Sequence, residues 1–150
     1  MIKQKLLNRK KRALEICDRI FNESDNPSKA RYFQQLVMCY SKVGDESVSI
    51  NYALNALEMR KHLYHKFHPL IATSLNDTGT CYSNLGNEKK AMEYFNMVLE
   101  LRLQISKWKS LKIANSYQTI SLSYGKLGDE NKANEYNKSP TLMQLKLNTN

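Results

Sequence analysis

Glycine and proline are scarce in this chain of 150 residues, which contains five glycines and three prolines. An all-β domain needs many turns, and turns draw heavily on these two residues. The apolar fraction of 41% is nevertheless large enough for a packed core and too large for a disordered tail. The sequence therefore predicts an all-α protein, whose length fits one domain or one stretch of repeats.

Long apolar runs are absent too. No segment approaches the roughly 18 apolar residues of a membrane-spanning helix. The N-terminus alternates Lys with Ile and Leu, unlike a secretory signal. Cysteine is limited to three residues, an odd number whose positions indicate buried, reduced thiols. We therefore expect a cytoplasmic protein with no membrane partner.

Positive charge is concentrated at one end of the chain. The formal net charge is +9, and residues 1–12 contribute six Lys or Arg and no acid. The rest is nearly balanced, with 17 bases against 14 acids. The run Arg9–Arg12 has the composition of a nuclear import signal or a phosphate-binding patch. Because it lacks interleaved aromatics and leads into an amphipathic helix, a solvated helical face is favoured and nucleic acid is not the expected partner.

A repeat of 42 residues organises the chain. The tetrapeptides Val43–Glu46, Leu85–Glu88 and Leu127–Glu130 place their glycines 42 residues apart in both steps. A fixed period of this length is typical of solenoid proteins, in which each unit packs only on its neighbours. Other positions keep the same period without gaps, among them Tyr40, Tyr82 and Tyr124, and Ala30, Ala72 and Ala114.

Each unit is predicted to form two helices. Gly44 supplies the left-handed residue that ends the first helix, and Asp45 can cap the second. Before the glycine, apolar residues recur at i, i+3, i+4 and i+7, at Phe33, Leu36, Val37 and Tyr40. We predict helix pairs at 30–42 and 45–66, at 71–85 and 88–106, and at 112–127 and 129–138.

The predicted division of this single repeat domain follows the period. An N-terminal helix belongs to a partial repeat, because Ala13–Ile16 resembles Ala56–Met59 at a spacing of 43 residues. At the other end, Pro140 would break a helix of the last unit. The predicted segments are the N-terminal helix at 1–25, repeat 1 at 27–68, repeat 2 at 69–110, a truncated repeat 3 at 111–138 and a degenerate tail at 139–150.

The repeated residues resemble the tetratricopeptide repeat, whose pattern joins an aromatic residue, a small residue, Tyr, Leu-Gly and Ala. The ordinary repeat has 34 residues. The longer repeat here, with Ala56–Arg60 and then His68-Pro69, is similar to the kinesin light chain-like subclass. The resemblance covers about residues 10–138. It implies a right-handed α-α superhelix of about three helix pairs plus an N-terminal helix, and a protein-binding role without enzymatic activity.

Catalysis and metal binding have little support in the sequence. The chain has no Gly-rich phosphate loop and no Ser–His–Asp order. His62, His65 and His68 have a spacing that could let two of them share a metal, but a solvated helix end is the simpler interpretation. No metal and no cofactor are therefore expected. Cys39 and Cys81 occupy equivalent positions, where a small residue is needed between packed helices.

The first helix of each pair supplies the predicted binding site. In a solenoid of this type the first helices line a concave groove, and their residues outside the apolar stripe face it. Gln34, Asn76 and Gln118 share one repeat position, where an amide can pair with the backbone of an extended peptide. The candidate peptide-binding residues are Arg31, Gln34, Met38, Asn76, Thr80, Asn115, Gln118 and Leu122.

Three functions remain open on the sequence alone. A scaffold that binds a peptide or a partner protein in its groove is the leading hypothesis. The groove lacks the cationic clamp of chaperone-binding repeats and includes Asp77, which argues against that role. The alternatives are a structural segment of a longer solenoid, or one that self-associates through its ends, and a binder of nucleic acid or an acidic surface through residues 3–12.

Overall fold

The computed structural model describes residues 2–21, 25–105 and 111–139. Within these ranges the chain forms helices and no strand, arranged as a right-handed α-α superhelix, which confirms the predicted fold class. None of the described helices is long and apolar enough to cross a membrane. Position 106, the predicted end of one helix, and the tail from 140 onward lie outside the described residues. The bounds are α1 Ile2–Phe21, α2 Pro27–Val43, α3 Glu46–Leu63, α4 Pro69–Asn84, α5 Glu88–Ile105, α6 Leu111–Lys126 and α7 Glu130–Asn137.

Two first helices begin at prolines, earlier than the apolar pattern predicted. Helix α2 begins at Pro27 rather than at position 30, and α4 begins at Pro69 rather than at position 71. Proline suits the first turn because its fixed φ is already helical and its missing N–H would have no partner there. Helix α3 ends at Leu63 rather than at position 66, since the next residue is extended.

The three glycine turns have the same geometry, as the sequence predicted. Gly44, Gly86 and Gly128 adopt φ values of 83°, 84° and 78°, in the left-handed region that glycine tolerates. After each turn a side chain caps the following helix. The caps are Asp45, Asn87 and Asp129, which accept from the backbone amides of Val48, Lys90 and Lys132.

A close pair of tyrosines joins the two helices of each unit. Such aromatic pairs add to the stabilisation from buried area alone. A lysine ammonium also lies over the first ring of each pair, from Lys11, Lys90 and Lys132 in turn. The equivalence of the pairs confirms the predicted register. The ring centroids are 5.5 Å apart for Tyr40 and Tyr52, 5.6 Å for Tyr82 and Tyr94, and 5.4 Å for Tyr124 and Tyr136.

The core extends along the solenoid rather than collecting at one centre. Leu36, Val98 and Ile120 belong to different units and are at most 1% exposed. Gly79 allows α4 to approach α5 closely, because a Cβ at this position would lie 2.6 Å from the ring of Phe95. Helices α2 and α4 also contact each other directly. The first helices of the first two pairs therefore lie side by side.

Candidate peptide-binding groove

The predicted binding positions lie on α2, α4 and α6, the first helices of the three pairs. Gln34 and Asn76 are half-buried. Met38 and Leu122, which are repeat equivalents, keep 57% and 63% of their surface exposed, so this face offers apolar as well as polar side chains. The exposed positions are Arg31, Met38, Thr80, Asn115, Gln118 and Leu122.

The amide of Gln34 is engaged within the protein. Its Nε2 donates to Oδ2 of Asp77 at 2.8 Å, and its Oε1 accepts from Nη2 of Arg60 at 2.7 Å. The side chain thereby links α2 to both α3 and α4. A ligand can meet only the remaining amide hydrogen and lone pair of Gln34.

Arg60 anchors this network from inside the protein. The residue is 3% exposed, and its Nη1 donates to Oγ of Ser74 at 2.7 Å and to the carbonyl oxygen of Leu70 at 3.3 Å. Because the guanidinium is a planar fork of donors, it can serve acceptors on α2 and α4 at the same time. Burial lowers the pKa of Arg60, since removal from water disfavours the charged form.

Asp77 completes the network on α4, where it is half-buried. Burial raises the pKa of its carboxyl, and the hydrogen bond from Gln34 and the charge of Arg60 lower it by less. The sequence predicts that Asp77 faces the groove and would repel an anionic ligand. In the structure its carboxylate accepts a hydrogen bond from the amide of Gln34.

Asn76 and Gln118 share the repeat position of Gln34 but have different surroundings. Arg102, the equivalent of Arg60, donates to Oγ of Ser116 at 2.7 Å and to the carbonyl oxygen of Lys112 at 3.0 Å. Across the described ranges, neither the Asn76 amide nor the Gln118 amide has a hydrogen-bond partner. Both amides are therefore available to pair with a ligand backbone.

Two clefts open beside these positions, where the first helices begin. They are repeat equivalents, because Pro27 and Arg60 in one correspond to Pro69 and Arg102 in the other. The larger cleft, of about 320 Å³, is lined by Pro27, Ser28, Arg31, Gln34, Arg60, Tyr64 and Leu70. The smaller, of about 130 Å³, is lined by Pro69, Ala72, Thr73, Arg102, Ile105 and Lys112.

The histidines lie at the connection between α3 and α4. His68 Nδ1 accepts a hydrogen bond from the Leu70 amide at 3.2 Å and so caps α4, while its ring stacks on Tyr64 at 4.0 Å. His62 Nδ1 lies 2.7 Å from Oδ2 of Asp25. In the described part of the chain, no group of three His, Cys, Asp or Glu residues could hold a metal ion. These contacts stabilise a helix start and a loop.

Arg60 and Arg102 are the residues of this region that the sequence analysis did not single out. Both end a similar five-residue segment, Ala56–Arg60 and Val98–Arg102, and each is followed 14 residues later by a serine. That double recurrence is the signal that could have identified them. A charged residue late in a helix is normally solvated, so the pattern alone does not indicate that Arg60 is buried.

A tetratricopeptide repeat family model matches residues 36–104, which include α3, α4 and most of α5. No curated protein sequence matches the chain. Proteins built from tetratricopeptide repeats are generally non-enzymatic and act as scaffolds for protein–protein interaction. Residues 36–104 therefore match a family whose fold suggests a protein–protein interaction scaffold.

Solved structures share the fold over most of the chain. A kinesin light chain from Podosopora anserina with nearly identical TPR-like repeats gives a TM-score of 0.83 at 15% identity, covering 99% of this chain and 69% of that one. BtubC (BKLC) from P. vanneervenii gives a TM-score of 0.86 at 17% identity, and the match covers 99% of this chain and 59% of that one. The TPR domain of Arabidopsis FLU gives a TM-score of 0.65 at 19% identity, and the match covers 81% of this chain and 96% of that one. At these identities the likeness shows the fold.

Proposed function

We propose that the chain is a non-enzymatic scaffold that binds an extended segment of a partner protein. The match of residues 36–104 to a tetratricopeptide repeat family model supports this role. The segment lies along α2, α4 and α6. The observation that carries the proposal is that equivalent positions on these helices present side chains that the fold leaves exposed or unpaired. Successive first helices can therefore contact successive stretches of one ligand.

Asn76 and Gln118 are the residues proposed to pair with the ligand backbone. Each amide offers both donors and an acceptor, which matches the N–H and C=O groups of an extended peptide. Gln34 has a different role, because its amide already forms hydrogen bonds with Arg60 and Asp77. It contributes mainly to the wall of the groove.

The ligand's side chains are proposed to enter the spaces between first helices. The cleft beside Arg31 and Gln34 has a volume of about 320 Å³, and an equivalent cleft lies beside Thr73. The exposed Met38 and Leu122 would contact apolar groups of the ligand. Ligand side chains that become buried in such clefts supply most of the affinity in protein interfaces, while pairing with the ligand backbone fixes the register.

Peptides selected from a random display library on the wild-type protein test the proposal. Calorimetric titration would compare wild type with the double variant Asn76→Ala/Gln118→Ala. Removing each amide leaves ligand groups unpaired at about 1–3 kcal/mol, so binding should weaken by at least about tenfold. The unfolding midpoint should not change, because neither amide is bonded within the described protein.

The matched control is Arg9→Gln/Arg12→Gln on α1, outside the groove. We expect this variant to bind the selected peptides as wild type does. If it loses binding to every selected peptide while the groove variant keeps binding to all of them, the basic segment is the interaction site and the groove proposal is wrong.

A further inference from the structure

The outer side of α1 carries a stripe of cations. The helix has seven basic residues and two acidic ones. Ile2 and Ile16 lie on the same side and keep 84% and 44% of their surface exposed. Residues spaced by three and four positions share one face of a helix. The members of this stripe, all exposed, are Ile2, Lys5, Arg9, Arg12, Ile16 and Arg19.

Helix α1 packs on α2 in the way that α3 packs on α4. Leu7 is 4% exposed and belongs to the core cluster of α2. Ile50, which is 43 residues later, packs with Cys81 of α4. Helix α1 therefore corresponds to the second helix of a pair. Its main contact among the described helices is α2. In the next pair, α2 packs on one side of α3, but no described helix packs on the corresponding side of α1.

The structure of the next pair shows which positions border that place. In α3, Val48 and Tyr52 pack against a core cluster that is formed mainly by Ala30, Phe33, Leu36 and Tyr40 of α2. The ring of Tyr52 lies 5.7 Å from Phe33 and 5.5 Å from Tyr40. An apolar second helix and an apolar first helix thus meet at these positions.

In α1 the same positions carry charge. Lys5 and Arg9 stand 43 residues before Val48 and Tyr52, and both are exposed. They lie one helical turn apart, so the positive charge is continuous along this side. Ile16 keeps an apolar contact available further along the helix.

We propose that this face of α1 binds an acidic amphipathic helix of a partner protein. The repeat geometry offers a place for one helix, and the cations select acidic side chains on it. A second copy of this chain is disfavoured as the occupant, because its α1 presents the same positive charge. The site is separate from the groove of α2, α4 and α6 and does not depend on peptide binding there.

A peptide copied from α2 provides the probe. Residues 27–43 with Phe33→Glu and Tyr40→Glu would present two acids at the positions that contact Tyr52 in the native pair, and therefore opposite Arg9. Fluorescence anisotropy would measure its binding to the full chain. We expect this peptide to bind about tenfold tighter than the unmodified α2 peptide, with an affinity that falls as salt rises.

A charge reversal on the protein makes the test specific. The variant Lys5→Glu/Arg9→Glu should fold normally, since both side chains are exposed, and should bind the acidic peptide about tenfold more weakly. A peptide with Phe33→Lys and Tyr40→Lys should show the opposite preference and bind this variant better than wild type. The groove variant Asn76→Ala/Gln118→Ala should bind the acidic peptide as wild type does.

Three results would overturn the proposal. The first is equal binding of the acidic peptide to wild type and to the charge-reversed protein. The second is that the groove variant no longer binds the acidic peptide, which would place the peptide's binding site on α2, α4 and α6. The third is binding of duplex DNA that the charge reversal abolishes, with no binding of the peptide, since the face would then recognise phosphates.

Discussion

Two junctions of the solenoid use the same motif and differ in what surrounds it. Between α3 and α4, Arg60 donates to Ser74, and between α5 and α6, Arg102 donates to Ser116, each at 2.7 Å. Each arginine also donates to a backbone carbonyl of the next helix. Arg60 is buried and bonds Gln34 in addition, whereas Arg102 is only half-buried.

The difference arises at two positions on the groove side. The first junction has Gln34, which is long enough to reach Arg60 and Asp77 together. The second has Asn76, which is one methylene shorter, and Thr119, whose hydroxyl donates to a carbonyl of its own helix. One repeat position therefore stabilises the fold at the first junction and stays available to a ligand at the second.

Removing each arginine in turn should show the largest difference in stability between the two junctions. Arg60→Ala leaves acceptors on α2 and α4 unpaired in a buried setting and should cost about 3 kcal/mol or more. Arg102→Ala removes fewer bonds from a half-buried site and should cost about 1–2 kcal/mol. Urea unfolding followed by circular dichroism measures both. Equal losses would show that the two junctions are energetically alike.

Two helical glycines test close packing inside the units. Gly79→Ala places a Cβ 2.6 Å from the buried ring of Phe95, so it should destabilise by about 1–3 kcal/mol. Gly125→Ala meets nothing within 4 Å and should be neutral or stabilise by up to about 1 kcal/mol. Thermal unfolding measures both changes. A stabilised Gly79→Ala variant would contradict the tight contact between α4 and α5.

The smallest expected effect concerns pH and the carboxyl of Asp77. Burial raises its pKa above the ordinary 3.8, so between that value and the raised pKa the folded state binds more protons than the unfolded state. Stability from this group therefore falls as pH rises through the window. The free energy of unfolding of Asp77→Asn should therefore increase relative to that of wild type as pH rises from about 4 to 7. Urea unfolding at several pH values measures this difference. The opposite trend would mean that the Arg60 charge outweighs burial.

Short-range patterns in the sequence were enough for the fold. Each glycine turn and the tyrosine before it can be recognised from about ten neighbouring residues. Because the same pattern recurs every 42 residues, Tyr40 and Tyr82 are identified as equivalent positions. The starts at Pro27 and Pro69 were missed because the apolar stripe begins later than the helix. Local pattern and cap chemistry together would have located them.

The candidate site could be predicted only in part. Exposure of Met38 follows from its place outside the apolar stripe. The engagement of Gln34 could not be predicted, because its partner Asp77 is 43 residues away and the contact depends on how α2 packs on α4. The burial of Arg60 has the same origin, since its acceptors come from other helices.

The measurement closest to the central claim is a mapping of ligand contacts by nuclear magnetic resonance. A library-selected peptide would be added to the labelled protein, and the side-chain amide signals of Asn76 and Gln118 would be followed. We expect large shifts for these two amides, smaller ones for Gln34, and none for exposed residues of α1 such as Arg12. Shifts confined to α1, with the amides of α4 and α6 unchanged, would contradict it.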